Sequence, residues 1–178
     1  MRFLIFLLFI TTQLCAQKKV RDTVSYRDYS ILKWEDFKAN APENTKYTAS
    51  VNTGISYKWS YSTARGIVDF NYNIEAKLYR NFSWSIYEKD KENVLKHEQL
   101  HYDITELFAR KFRKALSEYT VGRSIRKDVA RIYENIEQER VTMQLLYDEE
   151  TEHSINVSSQ KLWEAKVGNL LQEYDTFK

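Results

Sequence analysis

Hydrophobic and polar residues alternate over two long stretches in the first half of the chain. Beyond residue 90 the hydrophobic positions recur every three or four residues instead. Over 49–61, Ala49, Val51, Thr53, Ile55, Tyr57, Trp59 and Tyr61 oppose Ser50, Asn52, Gly54, Ser56, Lys58 and Ser60. Over 67–79, Val68, Phe70, Tyr72, Ile74, Ala76 and Leu78 oppose Asp69, Asn71, Asn73, Glu75 and Lys77. Successive strand side chains point to opposite faces, so each stretch predicts a strand covered on one side. With a short turn at 62–66 the two form an antiparallel hairpin, and its aromatic stripe is assigned to the core. A shorter first strand is expected at 29–34, after a polar lead-in at 17–27. A loop is expected around Pro42, the one proline.

Three helices follow. The first is expected from about Asp90, a residue type that caps helix starts, to about Tyr119, with Gly122 as its stop. The second begins near Ser124 and runs past Val141 on the stripe Ile125, Val129, Ile132, Ile136, Met143, with a mixed-charge outer face. The third spans 157 to about 174, capped by Asn156. Strands first and helices after make the class α+β: an N-terminal antiparallel sheet followed by three helices.

A chain of 178 residues that is 43% hydrophobic and 29% charged can bury one core, so residues 17–178 are read as one domain. The formal net charge of +2, with no basic tract, argues against a nucleic-acid partner. Residues 1–16 have the form of a cleavable signal peptide: Arg2, the apolar run 3–10, then Leu14-Cys15-Ala16 as the cleavage site. The run is shorter than the ~20 residues of a spanning helix, and lipoprotein signals want a small residue where Leu14 precedes Cys15. The expected product is therefore secreted or periplasmic, with no stable membrane anchor. It also lacks the chain's one cysteine, so a metal would fall to His and carboxylates.

The chemistry concentrates in His97-Glu98-Gln99-Leu100-His101, an H-E-x-x-H sequence inside the first helix. Side chains four apart on a helix lie one above the other, so His97 and His101 offer two imidazole nitrogens to one Zn2+, and Glu98 is placed to take a proton from water that the zinc acidifies. The competing reading is two core histidines beside a surface Glu. The motif, however, uses two of only three histidines, and both lie on the apolar stripe Val94, His97, His101, Ile104, Phe108. Inward-facing imidazoles need partners, and a metal satisfies both. Catalytic zinc takes three protein ligands. The compact form with a third His six residues on fails, since Ile104 and Leu107 stand where Gly and His are required. Glu134, Glu137 and Glu139 do not stand out from the charged face around them. His153 does, in Tyr147-Asp148-Glu149-Glu150-Thr151-Glu152-His153, and is expected as the third ligand, with Asp148 or Glu150 accepting the second ring N–H of a ligating His.

These pieces carry a likeness. Trp34-Glu35-Asp36-Phe37, the stretch 49–57, Trp84, residues 97–104 and 147–153 together make the chain resemble a family of secreted bacterial proteins of unknown function held to be zinc-dependent, zincin-like proteases. That family's pattern is H-E-Q-x-H followed by an aromatic residue, Asp and Ile, then Y-D-x-x-T-x-H followed by Gly. Here Ser154 stands for that Gly, and Leu100 for a residue that is often Gly. The resemblance implies zinc at His97, His101 and His153, with Glu98 catalytic and a peptide or protein as substrate. A hydrolysis of this kind also needs a group to stabilise the oxyanion, and Tyr102 or Tyr147 could contribute it. Two rivals stand beside this reading. One is an exported binding or structural module whose zinc staples the first helix to the end of the second, closed by a carboxylate such as Asp148 or Glu150 as fourth ligand. The other is a zinc hydrolase of non-peptide amides or esters.

Overall fold

The helical period beyond residue 90 becomes one long central helix, α1 (Glu92–Ser117), in the computed structural model, which describes residues 22–86 and 92–178. The expected signal segment and the Asp90 cap lie outside the described residues. Buried positions run around α1: Val94, Leu100, Tyr102, Ile104, Leu107, Phe108, Phe112 and Leu116 all exclude solvent. A helix apolar on more than one face must be covered on more than one face. The sheet covers one side, and α2 (Ile125–Thr151) and α3 (Val157–Glu173) cover the other. Asn156 caps α3 as expected, its side chain accepting the Ser159 N–H at 3.1 Å.

The hairpin forms with β3 (Thr53–Ser62) and β4 (Asp69–Tyr79) in the register Thr53 opposite Leu78 through Ser62 opposite Asp69. Ile55, Ile74, Ala76 and Leu78 are buried on its inner face, and Tyr57 meets Phe112 of α1 edge-on at 5.3 Å. Val68, expected on the covered face, lies at the hairpin tip and is exposed. The polar lead-in also contributes to the sheet: β1 (Thr23–Ser25) pairs with the end of β4, giving the order β1-β4-β3.

Two expected strands come out differently, and α1 supplies the reason for both. The stretch 49–61 is broken. Its first residues are β2 (Ala49–Ser50), which pairs with β5 (Trp84–Ser85) in a second small sheet. At the break the Val51 N–H donates to Glu98 Oε2 at 2.7 Å, and the Asn52 N–H to Ser83 Oγ at 2.9 Å. The stretch 29–34 is not a strand, and Trp34–Asp36 forms a 3-10 turn. The Gln99 amide meets its backbone instead, accepting from Leu32 N–H at 2.7 Å and donating to Ser30 O at 2.8 Å. A side chain of α1 thus stands in for the neighbouring strand this segment would need. No helix of the described residues is long and apolar enough to cross a membrane.

Candidate metal centre

One turn of α1 separates His97 from His101, and both rings are buried. Their Nε2 atoms lie 3.2 Å apart. From the last turns of α2, Asp148 brings Oδ1 to 3.0 Å from each of them. Zinc bonds of about 2.0–2.1 Å in tetrahedral geometry put neighbouring donors ~3.3 Å apart. Edges of 3.2, 3.0 and 3.0 Å therefore make this triangle the right size for one face of such a site. The donor types fit as well, two imidazoles and a carboxylate. Among the described residues these three are the metal-capable cluster, their donor atoms all within 4.8 Å of one another.

Packing holds the triangle. Tyr147 is fully buried, stacks on His97 at 4.5 Å and meets His101 edge-on at 5.0 Å. Its hydroxyl donates to His97 O at 3.4 Å. Gln144, one turn before Asp148, donates to Thr105 Oγ1 at 3.1 Å and His101 O at 3.3 Å. The Nδ1 atoms of both histidines are buried and find no protein partner among the described residues. The rings are thus oriented by stacking and by what meets Nε2.

Burial disfavours a charged His101, but the Asp148 hydrogen bond and the charges of Glu98 and Asp148 outweigh it and hold the imidazole pKa above its ordinary value. Burial opposes the Asp148 charge in the same way, yet hydrogen bonds from His101 and His97 hold this carboxyl well below the usual range. A metal ion entering here competes with the His101 proton. Behind the centre, burial pushes Asp103 up to about 6 against the hydrogen bonds it accepts from Gln99 and Tyr26.

The triangle forms the floor of a cleft of about 600 Å³. Tyr47, Ala49 and Val51 from β2 and its flanks, Gln144, Leu145 and Glu149 from α2, and Glu98 from α1 line it as well. The hydrogen bond from Val51 N–H fixes the Glu98 carboxylate in orientation beside the two histidines. Among the described residues β2, which lines the cleft, pairs with β5 alone, so its other edge carries no strand.

His153 reaches the same cleft, with Nδ1 3.4 Å from Asp148 Oδ1 and its ring 4.7 Å from that of Tyr47. It lies outside the tight triangle. α2 ends there in three successive left-handed residues, Glu152, His153 and Ser154, at φ 49°, 51° and 78°. The turn is tied down by the Asn93 side chain, which donates to Ser154 O from the first turn of α1. A φ of 78° is glycine's territory, which is the physical sense of Gly at position 154. Ser154→Gly is expected to raise stability by roughly 0.5–1 kcal/mol, the left-handed penalty less glycine's entropic cost, measured as a shift in denaturant midpoint.

The remaining sequence candidates go elsewhere. Glu150 accepts the Trp163 indole N–H at 2.7 Å, facing α3. Glu137 pairs with Arg140, and Glu139 faces Lys111 at 3.8 Å. Tyr102 is sealed in the core against Tyr26, and neither it nor Tyr147 lines the cleft. Asp148, expected as an outer acceptor or as the carboxylate closing a stapling site, is the third corner of the triangle. Extending the α2 stripe by steps of three and four through Gln144, Tyr147, Asp148 and Thr151 gives it this place.

A family model for a bacterial protein of unknown function (DUF922) matches residues 29–154, and the chain belongs to that family. Every residue lining the cleft falls within the match, whereas α3 lies beyond it. No curated protein and no solved structure matches the chain.

Proposed function

We propose that the chain is a secreted zinc-dependent peptidase that hydrolyses peptide bonds in the cleft over His97 and His101, with Glu98 as general base. The observation that carries the reading is the donor triangle at zinc spacing beside a fixed carboxylate on an open cleft. His97 and His101 would hold the metal with a third donor from the 148–153 segment, where the sequence points to His153 and the triangle contains Asp148. Bound zinc supplies Lewis acidity, polarising a carbonyl and making water a stronger acid. Glu98 takes the proton of the attacking water and delivers one to the departing amine. The unpaired edge of β2, a strand that lines the cleft, supports a peptide as substrate, because an extended chain added to it gains main-chain hydrogen bonds that a small ester lacks. Export rests on the character of residues 1–16.

The test is metal analysis of the purified mature chain together with digestion of a broad peptide library. About one zinc per chain is expected, with cleavage lost on chelation and regained on adding zinc. A zinc-loaded chain that leaves every peptide intact removes the peptidase reading. The stapling alternative draws on one observation, that His97, His101 and His153 all bring a ring nitrogen to within 3.4 Å of Asp148 Oδ1, so a small movement of His153 would add a fourth donor to the triangle. Four protein ligands close a tetrahedral site, as structural zinc requires. That reading expects chelation to lower the melting temperature sharply in a chain without peptidase activity.

A further inference from the structure

Four side chains compete for three places if the proposed zinc keeps a position open for substrate. We infer that Asp148 is the third ligand and that His153 acts behind it as a positioning residue, holding the Asp148 carboxylate toward the metal. The inference rests on the metal-dependent reading above and decides which residues make the site.

Three observations lead to it. The first is distance. Asp148 Oδ1 completes a triangle with His97 Nε2 and His101 Nε2 whose edges are 3.0, 3.0 and 3.2 Å, and His153 does not belong to that cluster. The second is rigidity. Asp148 sits within α2, its backbone carbonyl accepting from both Glu152 and His153, and the preceding residue Tyr147 is packed against both motif rings. His153 sits in the left-handed turn with its side chain about half exposed (48%), against the exposed Tyr47. A ligand held by a helix is better preorganised than one on a turn. The third is charge. A divalent ion among buried imidazoles keeps its full charge in a poorly solvated place, and a carboxylate ligand offsets part of it. The 3.4 Å approach of His153 Nδ1 to the same Oδ1 then has a function, since metal-bound carboxylates are themselves held by outer hydrogen-bond partners.

The experiment compares wild type, Asp148→Asn and His153→Ala as purified mature chains. Zinc affinity is measured by competition with a chelating dye, and the Cu2+-loaded wild type is examined by electron paramagnetic resonance. Asp148→Asn is expected to weaken zinc binding by more than ~100-fold, beyond the range of outer-partner losses. His153→Ala should weaken it within that roughly 10–100-fold range, toward the lower end. The Cu2+ spectrum should carry hyperfine coupling from two imidazole nitrogens, a readout that depends on no variant folding. Coupling to three nitrogens, a larger loss from His153→Ala, or equal losses from both variants would each overturn the assignment while leaving a metal site in place. A wild-type chain that takes up no zinc overturns the metal reading itself.

Discussion

Glu98→Gln is expected to keep its metal and lose hydrolysis, with kcat falling by about 10³-fold or more, the upper part of the range for a missing general base and ~4 kcal/mol of barrier. The swap is nearly isosteric. The amide oxygen of the substituted side chain can still accept the Val51 N–H now held at 2.7 Å by Glu98, so the break between β2 and β3 and the cleft wall survive. What disappears is the capacity to take a proton. Glu98→Ala makes the contrast, because it also leaves the half-buried Val51 N–H without its acceptor, at about 1 kcal/mol. Zinc stoichiometry and circular dichroism unchanged in Glu98→Gln, with kcat reduced as stated, assign the loss to chemistry. Peptidase activity within about tenfold of wild type removes Glu98 from the role given to it, since a missing general base costs more than that.

The motif was legible because it is local. Once residues 92–117 form a helix, spacing alone puts His97 beside His101, and no distant contact is needed. The helices and the β3–β4 pairing were legible for the same reason, since each period repeats over a long run of residues. The break at Val51 was not, because the alternation of 49–61 continues unchanged through it. Only Glu98, 47 positions away, pulls that N–H out of a strand ladder. The stretch 29–34 misled in the same way: its backbone partner is the Gln99 amide, and a side chain that replaces a strand leaves no periodic trace in the sequence. Asp148 was hidden differently. It lies among Glu149, Glu150 and Glu152 in an acidic run, and only the angular position around α2 separates the one carboxylate facing the histidines from those facing elsewhere. The site therefore depends on how α1 and α2 are held against each other and against the sheet.

That dependence makes Glu106→Ala the largest expected loss of stability, about 3–5 kcal/mol. Glu106 is buried in α1 and accepts from Arg110 Nε and Arg113 Nη1, each at 3.0 Å. Arg113 also donates to Ile74 O of β4 through Nε and Nη2, at 3.0 and 2.9 Å, and to Phe177 O at 2.8 Å. Arg110 donates to Leu171 O of α3 at 2.6 Å. One carboxylate thus holds two guanidinium groups that tie α1 to the sheet on one side and to α3 and the C-terminal turn on the other. Both guanidinium groups are buried, so solvent screens little of the interaction. Removing Glu106 leaves buried Arg113 with backbone acceptors alone, and leaves Arg110 only the exposed Asp175 carboxylate at 3.5 Å, so most of the countercharge at two poorly hydrated guanidinium groups is lost. The exposed Glu92–Lys96 pair, with its 2.6 Å contact on the same helix, is worth little by comparison because both partners stand in solvent. At about 2–4 °C per kcal/mol for a chain of this size, the melting temperature should fall by roughly 10 °C. Glu106→Gln, which keeps an acceptor but no charge, should fall in between. A drop of less than about 1 kcal/mol in Glu106→Ala would mean that the two arginines hold their backbone partners unaided, and the network would lose its claim to fix α1 in place.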